Sequence, residues 1–420
     1  MGSVGESTSV FSSIKAIPYD EAYQVTAALA ADKTPTKVDL GAGVYKDENG
    51  LPWTLPSVKE AIARLPDDHT YLPQSGFPPF LNGARSLMFG DLSNDQDARL
   101  SSIQTASGSH ACHAGAMFLI KNGLKPKTVF ISDPSWMNHA LIWECADSTV
   151  TRSLYPYYHA ATRSLDFKGM IASLEKDSQP GDVVILQACA HNPTGLDPTK
   201  EQWVAIAEIC ERKKLFPFFD SAYQGFASGN FDDDAWAIRY FASRPSMEMA
   251  VAQSFSKNFG LYGERVGALH ILASEPSVKP AVQSQLVRVL RSEISSGTAF
   301  GSRVAAQVLD NTELKTQFLE ENKKMSSRIK SMRAALVVEL ERLGTPGDWS
   351  HITNQIGMFS YTGLTAQQVQ ELRQKHHIYL FSSGRASIAG LNSNNVARVA
   401  AAINSVVLGQ TQGHGHDSLV

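Results

Sequence analysis

Lys257 lies in the run Ser254-Phe255-Ser256-Lys257-Asn258-Phe259-Gly260-Leu261-Tyr262-Gly263-Glu264-Arg265-Val266-Gly267, directly after an apolar stretch. Hydroxyls, an arginine and three glycines around one lysine suggest an anion cradle with an amine projecting into it. A single lysine is most often a solvated surface residue, so the segment gains meaning only from partners elsewhere. Asp220 ends the run Leu215-Phe216-Pro217-Phe218-Phe219-Asp220, and Tyr223 follows. A carboxylate after so apolar a stretch is either a helix cap or the buried partner of a cation. A protonated pyridine nitrogen is one such cation, and holding its proton in place makes the ring an electron sink. Tyr223 would then hydrogen-bond a phenolic oxygen of that ring. Ser107, Gly108 and Ser109 precede a helical pattern starting near His110, where amides and hydroxyls make a good anion site. Serine and glycine also cap most helices, so the motif is weak alone. Asn192 opens Asn-Pro-Thr-Gly, otherwise a plain turn. Trp136, after Asp133-Pro134-Ser135, offers a flat face to a planar ring or simply joins the core.

Most of these residues follow one kind of element. Thr128–Ser132, Asp182–Ala188, Leu215–Asp220, Met249–Ser254 and Ala268–Ala273 are short apolar runs that end in small or polar residues. Each has the character of a strand buried on both faces. Ser102–Thr105 adds a strand pattern before Ser107, and Gln202–Lys213 and Asp234–Phe241 carry helical periodicity. Strand–helix alternation predicts an α/β layer with a mostly parallel sheet. In such sheets ligands bind at the carboxyl ends of the strands, where each end here contributes one part of a pyridoxal phosphate site. From about Glu313 the character changes. Leu314–Leu343 is a long amphipathic helix, His351–Ser387 is mixed, and a last helix runs through Asn395–Val407, which together predict a second, α+β domain.

The chain has 420 residues, 43% of them hydrophobic and 19% charged, with 38 Lys+Arg against 41 Asp+Glu. That is globular composition, too long for one core, and a net charge of -3 gives no electrostatic support for binding nucleic acid or anionic membrane. No apolar run is long enough to cross a bilayer. Cys112, Cys145, Cys189 and Cys210 are widely spaced, as reduced, buried cytosolic cysteines are. The amino terminus lacks a secretory or mitochondrial pattern, and Gly2 is followed by Glu6 where a myristoylation signal wants Ser or Thr. The final Ser-Leu-Val lacks the basic middle residue of a peroxisomal tripeptide. The alternating His414 and His416 have the look of an ordinary tail rather than a metal site. A cytoplasmic location is expected.

The segments SFSKNFGLYGERVG, FFDSAYQGFASG, ACAHNPTG, TYLPQSG and LGAGVYKDENGLPWTLP resemble the aspartate aminotransferase family, subgroup I of the fold-type I pyridoxal phosphate enzymes. The resemblance runs in order from about Tyr19 to about Val407. It implies an α/β fold-type I transferase, with a large domain over 51–319 whose mostly parallel mixed sheet lies between helices. A smaller α+β domain with an amino-terminal arm would take in 1–50 and 320–420. It implies pyridoxal 5'-phosphate as cofactor, amino acid and 2-oxo acid substrates, a ping-pong reaction, and a homodimer with shared active sites. Residue by residue, Lys257 would carry the cofactor and move the substrate's α-proton. Asp220 would pair with the ring nitrogen, with His139 behind it, and Asn192 and Tyr223 would hold the ring oxygen. Trp136 would stack on the ring. Ser107, Gly108, Ser109, Ser254 and Arg265 would bind the phosphate, joined by Tyr71 from the neighbouring subunit. Arg385 would clamp the substrate α-carboxylate, Gly43 would belong to a mobile lid, and Arg291 would grip a side-chain carboxylate across the dimer. Arg288 is a less well-spaced alternative.

The sequence departs from the family around Arg291. Ser292-Glu293-Ile294-Ser295-Ser296-Gly297-Thr298 replaces an Asn-Pro-Pro-type stretch, and Glu293 stands where it can neutralise the arginine. Gln187 replaces a histidine that supports Asp220, Asn354 replaces an aspartate, Ser109 replaces threonine, and Met137 adds bulk beside Trp136. The expected activity is transamination of aspartate- and glutamate-like substrates. The alternatives are a paralogue shifted to aromatic or unusual amino acids, one whose outcome is decarboxylation or C–C bond formation, and a non-catalytic binding protein. The last is disfavoured because Lys257, Asp220 and Arg265 are all present.

Overall fold

Alternate residues along the apolar runs sort to opposite faces of one sheet. In the computed structural model, which describes residues 9–413, Val183 and Ile185 join one apolar cluster while Val184 and Leu186 join another. The sheet has seven strands: β1 (Leu100–Thr105), β2 (Thr128–Asp133), β3 (Thr151–Pro156), β4 (Val183–Gln187), β5 (Phe216–Ser221), β6 (Met249–Ser254) and β7 (Gly267–Leu272). Their spatial order is β1-β7-β6-β5-β4-β2-β3. β7 runs antiparallel to both β1 and β6, while the other pairs are parallel. The carboxyl ends of the other six strands therefore share one edge, and β7 brings its amino end, Gly267, to that same edge. Gly267 pairs with Thr105 on one side and Ser254 on the other.

Helices cover both faces. α1 (Gly108–Lys121) and α2 (Lys279–Glu293) pack on the face of Ile103, Phe218 and Leu269, and the helix Lys200–Lys213 packs on the face of Leu186, Phe219 and Val251. A fully buried phenylalanine such as Phe219 stabilises the fold by roughly 1.5–3 kcal/mol. A third cluster joins Phe80, Tyr223 and Phe255 to Phe318 and Leu336 of α3 (Thr312–Arg342) and to Phe359, Ile378 and Val399. α3 runs unbroken across position 320, where the sequence reading changes domain. The short strand pair Val38–Asp39 with Ile378–Tyr379 ties the amino-terminal segment to the carboxyl-terminal part, within which Phe359–Tyr361 pairs with Arg385–Ser387.

The five apolar runs are all strands, within a residue of their expected limits. β3 went unread because it is an edge strand with only Tyr155 buried, so it shows no apolar run. Cys112, Cys189 and Cys210 are buried as expected, but Cys145 is exposed, which corrects the reading of all four as buried. Among the described residues, no helix is long and apolar enough to cross a membrane. Gly2, Glu6, His414, His416 and the final Ser-Leu-Val lie outside the described residues.

Candidate active site

A cavity of about 180 Å³ opens at the shared strand edge. Its lining includes Gly108 and Ser109 after β1, Trp136 after β2, Gln187 at the end of β4 and Asn192 after it, and Asp220 in β5 with Tyr223 after it. Ser254 at the end of β6, Lys257 after it, and Arg265 before β7 complete the ring. Every strand end named from sequence thus delivers its residue to one place. Tyr262, Ser256 and Ala222 also line it, and none of these was singled out beforehand. Tyr262 and Ser256 flank Lys257 within the quoted segment.

One end of the cavity suits an anion. Ser107 caps α1, its Oγ accepting the amide of His110 at 3.0 Å, so the first turn of α1 faces the cavity with its positive dipole end. Packing here leaves no room for a side chain at two glycines. A Cβ on Gly108 would sit 2.7 Å from Ser254 Cβ, and one on Gly267 2.4 Å from the Ser107 carbonyl carbon. Arg265, with φ 54, donates from Nη1 to the Tyr262 carbonyl at 2.9 Å.

The other end suits a cation. Asp220 is buried, and its Oδ2 lies 3.0 Å from His139 Nε2, while His139 Nδ1 lies 2.9 Å from Ser135 Oγ. A carboxylate only accepts, so His139 donates to Asp220 through Nε2, and its Nδ1 shares a hydrogen bond with the Ser135 hydroxyl. Between the two ends stands Lys257. Its ammonium position lies 4.9 Å from the Tyr223 ring centre, and among the described residues nothing accepts a hydrogen bond from it. Burial lowers the Lys257 pKa below the ordinary range, with Asp220 opposing the shift, which raises the fraction of neutral, nucleophilic amine. Burial also pushes the Tyr223 phenol well above its usual range. The Trp136 and His139 rings meet at right angles with their centres 5.2 Å apart, and Trp136 lines the cavity.

Gln187 corrects one expectation. It sits opposite Asp220 in the β4–β5 register but does not touch that carboxylate. Its amide closes a reciprocal pair with Asn192, Oε1 accepting the backbone N–H at 2.8 Å and Nε2 donating to the carbonyl at 2.9 Å. It reaches Asp220 only through Ser135 and His139, by a 3.4 Å contact. Asp197 supports the same loop by accepting the amides of Ala190 and His191 at 2.7 and 3.0 Å, and burial raises its pKa to about 6.

Arg385 approaches from the strand pair Phe359–Tyr361 with Arg385–Ser387. Its Nη1 donates to Asn192 Oδ1 at 3.3 Å and its Nη2 to the Gly41 carbonyl at 2.9 Å. The guanidinium lies between the rings of Phe381, 3.7 Å away, and Phe359, 4.2 Å away. It is 9% exposed, burial lowers its pKa to about 10, and Nε has no hydrogen-bond partner among the described residues. No described carboxylate lies within 4 Å of it. Arg333, one basic residue among many in the amphipathic stretch Leu314–Leu343 and not singled out there, holds the Phe359 segment in place. It is buried and donates to the carbonyls of Ile352, Gly357 and Phe359.

Other expected residues are not gathered here. Gly43 packs beside Phe359, and the neighbouring Gly41 makes the contact with Arg385. Tyr71 is 92% exposed and lies off the cavity. Arg288 and Arg291 are exposed on α2, and Arg291 Nη1 donates to Ser295 Oγ. Glu293 does not neutralise Arg291. It turns the other way, to His110 and His113. Asn354 is exposed at the end of the short helix His351–Asn354 and takes no part in the cavity, so its replacement carries no weight for the site. Met137 is half exposed beside the cavity wall.

A lysine facing a buried carboxylate and a helix-end anion cup at the edge of an α/β sheet defines a cofactor-dependent enzyme of the pyridoxal phosphate type. Residues 35–403 match the family described as aminotransferase class I and II. The chain belongs to that family, among its aspartate aminotransferase-like members, and is a pyridoxal phosphate-dependent aminotransferase acting on amino acids and 2-oxo acids. It is 48% identical to an L-tyrosine:2-oxoglutarate aminotransferase of Aspergillus ustus over 94% of this chain and 78% of that one. It is 44% identical to the cytoplasmic aspartate aminotransferase of Saccharomyces cerevisiae over 96% and 98% of the two chains. The solved structure of that yeast protein superimposes with a TM-score of 0.92, covering 96% of this chain and all of that one. An aromatic-amino-acid aminotransferase from Burkholderia pseudomallei, covalently bound to pyridoxal phosphate, gives 0.90 at 40% identity over 95% of this chain and all of that one.

Proposed function

We propose that this aminotransferase exchanges amino groups between dicarboxylic amino acids, of the aspartate and glutamate kind, and their 2-oxo acids. The observation that carries the amino-acid part of the reading is Arg385, a buried guanidinium beside the cavity with an unpaired Nε and no described carboxylate partner, while the preference for a second carboxylate rests on Arg291. A planar fork in the position of Arg385 is matched by the α-carboxylate of an amino acid.

The residues present fit pyridoxal phosphate. The anion cup at α1 is cleared by Gly108, whose Cβ would meet Ser254. Asp220 is buried at the opposite end, and Lys257 offers an amine without an acceptor between them. Once bound, the cofactor supplies an electron sink for the charge left when a substrate Cα–H bond breaks. Lys257 Nζ removes that proton, Asp220 holds the proton on the ring nitrogen, and His139 fixes Asp220. Asn192 and Tyr223 orient the ring oxygen, Trp136 excludes water from one face, and Ser107, Gly108, Ser109, Ser254 and Arg265 hold the phosphate. Gly43 belongs to the segment that closes over the substrate. The first 2-oxo acid leaves before the second enters.

Specificity for a second carboxylate comes from Arg291 acting in the neighbouring subunit's site, with Tyr71 reaching the neighbour's phosphate. Their exposure in one chain supports this, as do the exposed apolar residues Val10, Phe11, Ile14 and Ile17 of the amino-terminal arm, which suit burial in a homodimer. Residues 51–319 hold the cofactor, and 1–50 with 320–420 form the smaller unit that carries Arg385, joined to it by α3. Two relatives named for the cytoplasm support the same location here.

Arg291 also favours a second reading, in which aromatic amino acids are substrates. Within one chain its guanidinium is turned onto Ser295, and with Arg291 withdrawn Arg385 still holds any α-amino acid. A panel of amino acids, scored by bleaching of the bound coenzyme's visible absorbance and by identifying the released 2-oxo acid, separates the two. Aspartate and glutamate bleaching faster than phenylalanine and tyrosine supports the first reading. The reverse order supports the second, and loss of CO2 without oxo acid contradicts both.

A further inference from the structure

Glu293 is the last residue of α2, and its two oxygens face two histidines of α1. His110 Nε2 lies 2.7 Å from Oε2, and His113 Nδ1 lies 2.9 Å from Oε1. A spacing of three residues puts both histidines on one face of α1. His110 is also engaged at its other nitrogen, where Nδ1 accepts the Ala106 amide at 2.9 Å. A backbone amide always donates, so Nδ1 carries no proton and Nε2 is the N–H that donates to Glu293. One imidazole thus spans from the residue before the cap of α1 to the carboxylate that ends α2. The residues between Ala106 and His110 are Ser107, Gly108 and Ser109, the anion cup itself.

The chain that follows Glu293 is fastened at its far end to the opposite wall of the same cup. Thr298 Oγ1 donates to the Arg265 carbonyl at 2.9 Å, and Gln104 Nε2, at the end of β1, donates to the Thr298 carbonyl at 2.7 Å. Between these anchors Ser295 adopts φ 69 and accepts from Arg291 through its hydroxyl. The turn that sets the direction of Arg291 is therefore bonded to the phosphate cup on both sides.

We infer that Glu293, acting through His110, is a positioning residue that couples the phosphate cup to the turn presenting Arg291, so that phosphate affinity and recognition of a second carboxylate are set together. The inference rests on the role of Arg291 given under Proposed function. It has the opposite sign to neutralisation of Arg291, under which removing Glu293 would improve dicarboxylate binding. Glu293 is suited to the role because it stays ionised. Burial would raise its pKa, but His110 and His113 outweigh burial and hold it at about 2.

The test compares full-length Glu293→Ala, Glu293→Gln and Arg291→Ala. A glutamine oxygen can still accept from His110 Nε2, so the second variant keeps the bridge. Two quantities are read: the affinity of coenzyme-free protein for pyridoxal phosphate and for phosphate-free pyridoxal, by absorbance titration, and kcat/KM for aspartate relative to phenylalanine at saturating coenzyme. Glu293→Ala is expected to weaken pyridoxal phosphate about tenfold while leaving pyridoxal unchanged, and to lower the aspartate preference about tenfold, with Glu293→Gln retaining most of both. Equal weakening of both coenzyme forms would mean a general loss of structure and overturn the inference. So would an aspartate preference that holds or rises. If Arg291→Ala abolishes the aspartate preference and Glu293→Ala does not, the coupling alone is wrong. If Arg291→Ala leaves the preference intact, or the wild type has none, the reading of Arg291 fails and this inference with it.

Discussion

The cofactor cup and the Arg291 turn are built on different principles. In the cup, each polar side chain stands at the end of a strand whose neighbours fix its height and direction, and most are buried among groups of the same chain. Asp220 illustrates this: β5 register sets its height, Gln187 stands opposite, and His139 holds its carboxylate. Arg291 stands on an exposed helix end, its direction set by one serine and by a turn fastened at Glu293 and Thr298. A geometry fixed by sheet register survives changes around it. One fixed by a short turn can be redirected by few substitutions, and the longest run of departures from the family, Ser292–Thr298, falls in that turn, whereas those in the cup are the single residues Ser109 and Gln187. The chemistry is therefore the part of this design that sheet register holds in place, and recognition of the substrate side chain is the adjustable part.

That contrast can be broken at several points. Lys257→Ala removes the amine on which proton transfer depends, and turnover should fall by at least about 10³-fold with every amino acid; near-normal steady-state rates would refute its role. Arg385→Ala leaves the α-carboxylate without its buried partner and should lower kcat/KM by about 10²–10³-fold for aspartate and phenylalanine alike. A loss confined to one substrate class would show that Arg385 reads the side chain instead. Arg291→Ala should cost about tenfold to 10²-fold for aspartate and glutamate and leave phenylalanine within about twofold. Equal losses on both classes would erase the distinction between cup and turn.

The smallest effect concerns pH. The folded-state pKa of Glu293, about 2, lies below its ordinary value of 4.5, so its stabilising contribution is complete above about pH 4.5 and is lost as pH falls toward 2. Wild type should exceed Glu293→Gln in unfolding free energy at pH 7, and the gap should close between about pH 5 and pH 2. A gap that is constant with pH would show that the carboxylate charge plays no part.

Sequence carried the large sheet because strands buried on both faces read as unbroken apolar runs, and it carried the cup because each run ends in the residue that does the chemistry. The reversed direction of β7 leaves no such mark, although it is what brings Arg265 to the site. β3 was invisible since its exposed face interrupts the apolar pattern. Arg333 went unnoticed because a guanidinium satisfied by three carbonyls has the same one-letter signature as a solvated one. The Glu293–His110 bond joins residues 183 positions apart, and the nearer Arg291 was the natural but mistaken partner. Local pattern fixes elements and their ends, whereas pairings made only by tertiary packing have to be seen.

The central claim is that position 257 carries the coenzyme. Incubating the protein with pyridoxal phosphate, reducing with borohydride and mapping the modified peptide tests it directly. The account predicts a stable coenzyme adduct on Lys257 and little elsewhere. An unmodified Lys257, or label spread over surface lysines, would contradict it.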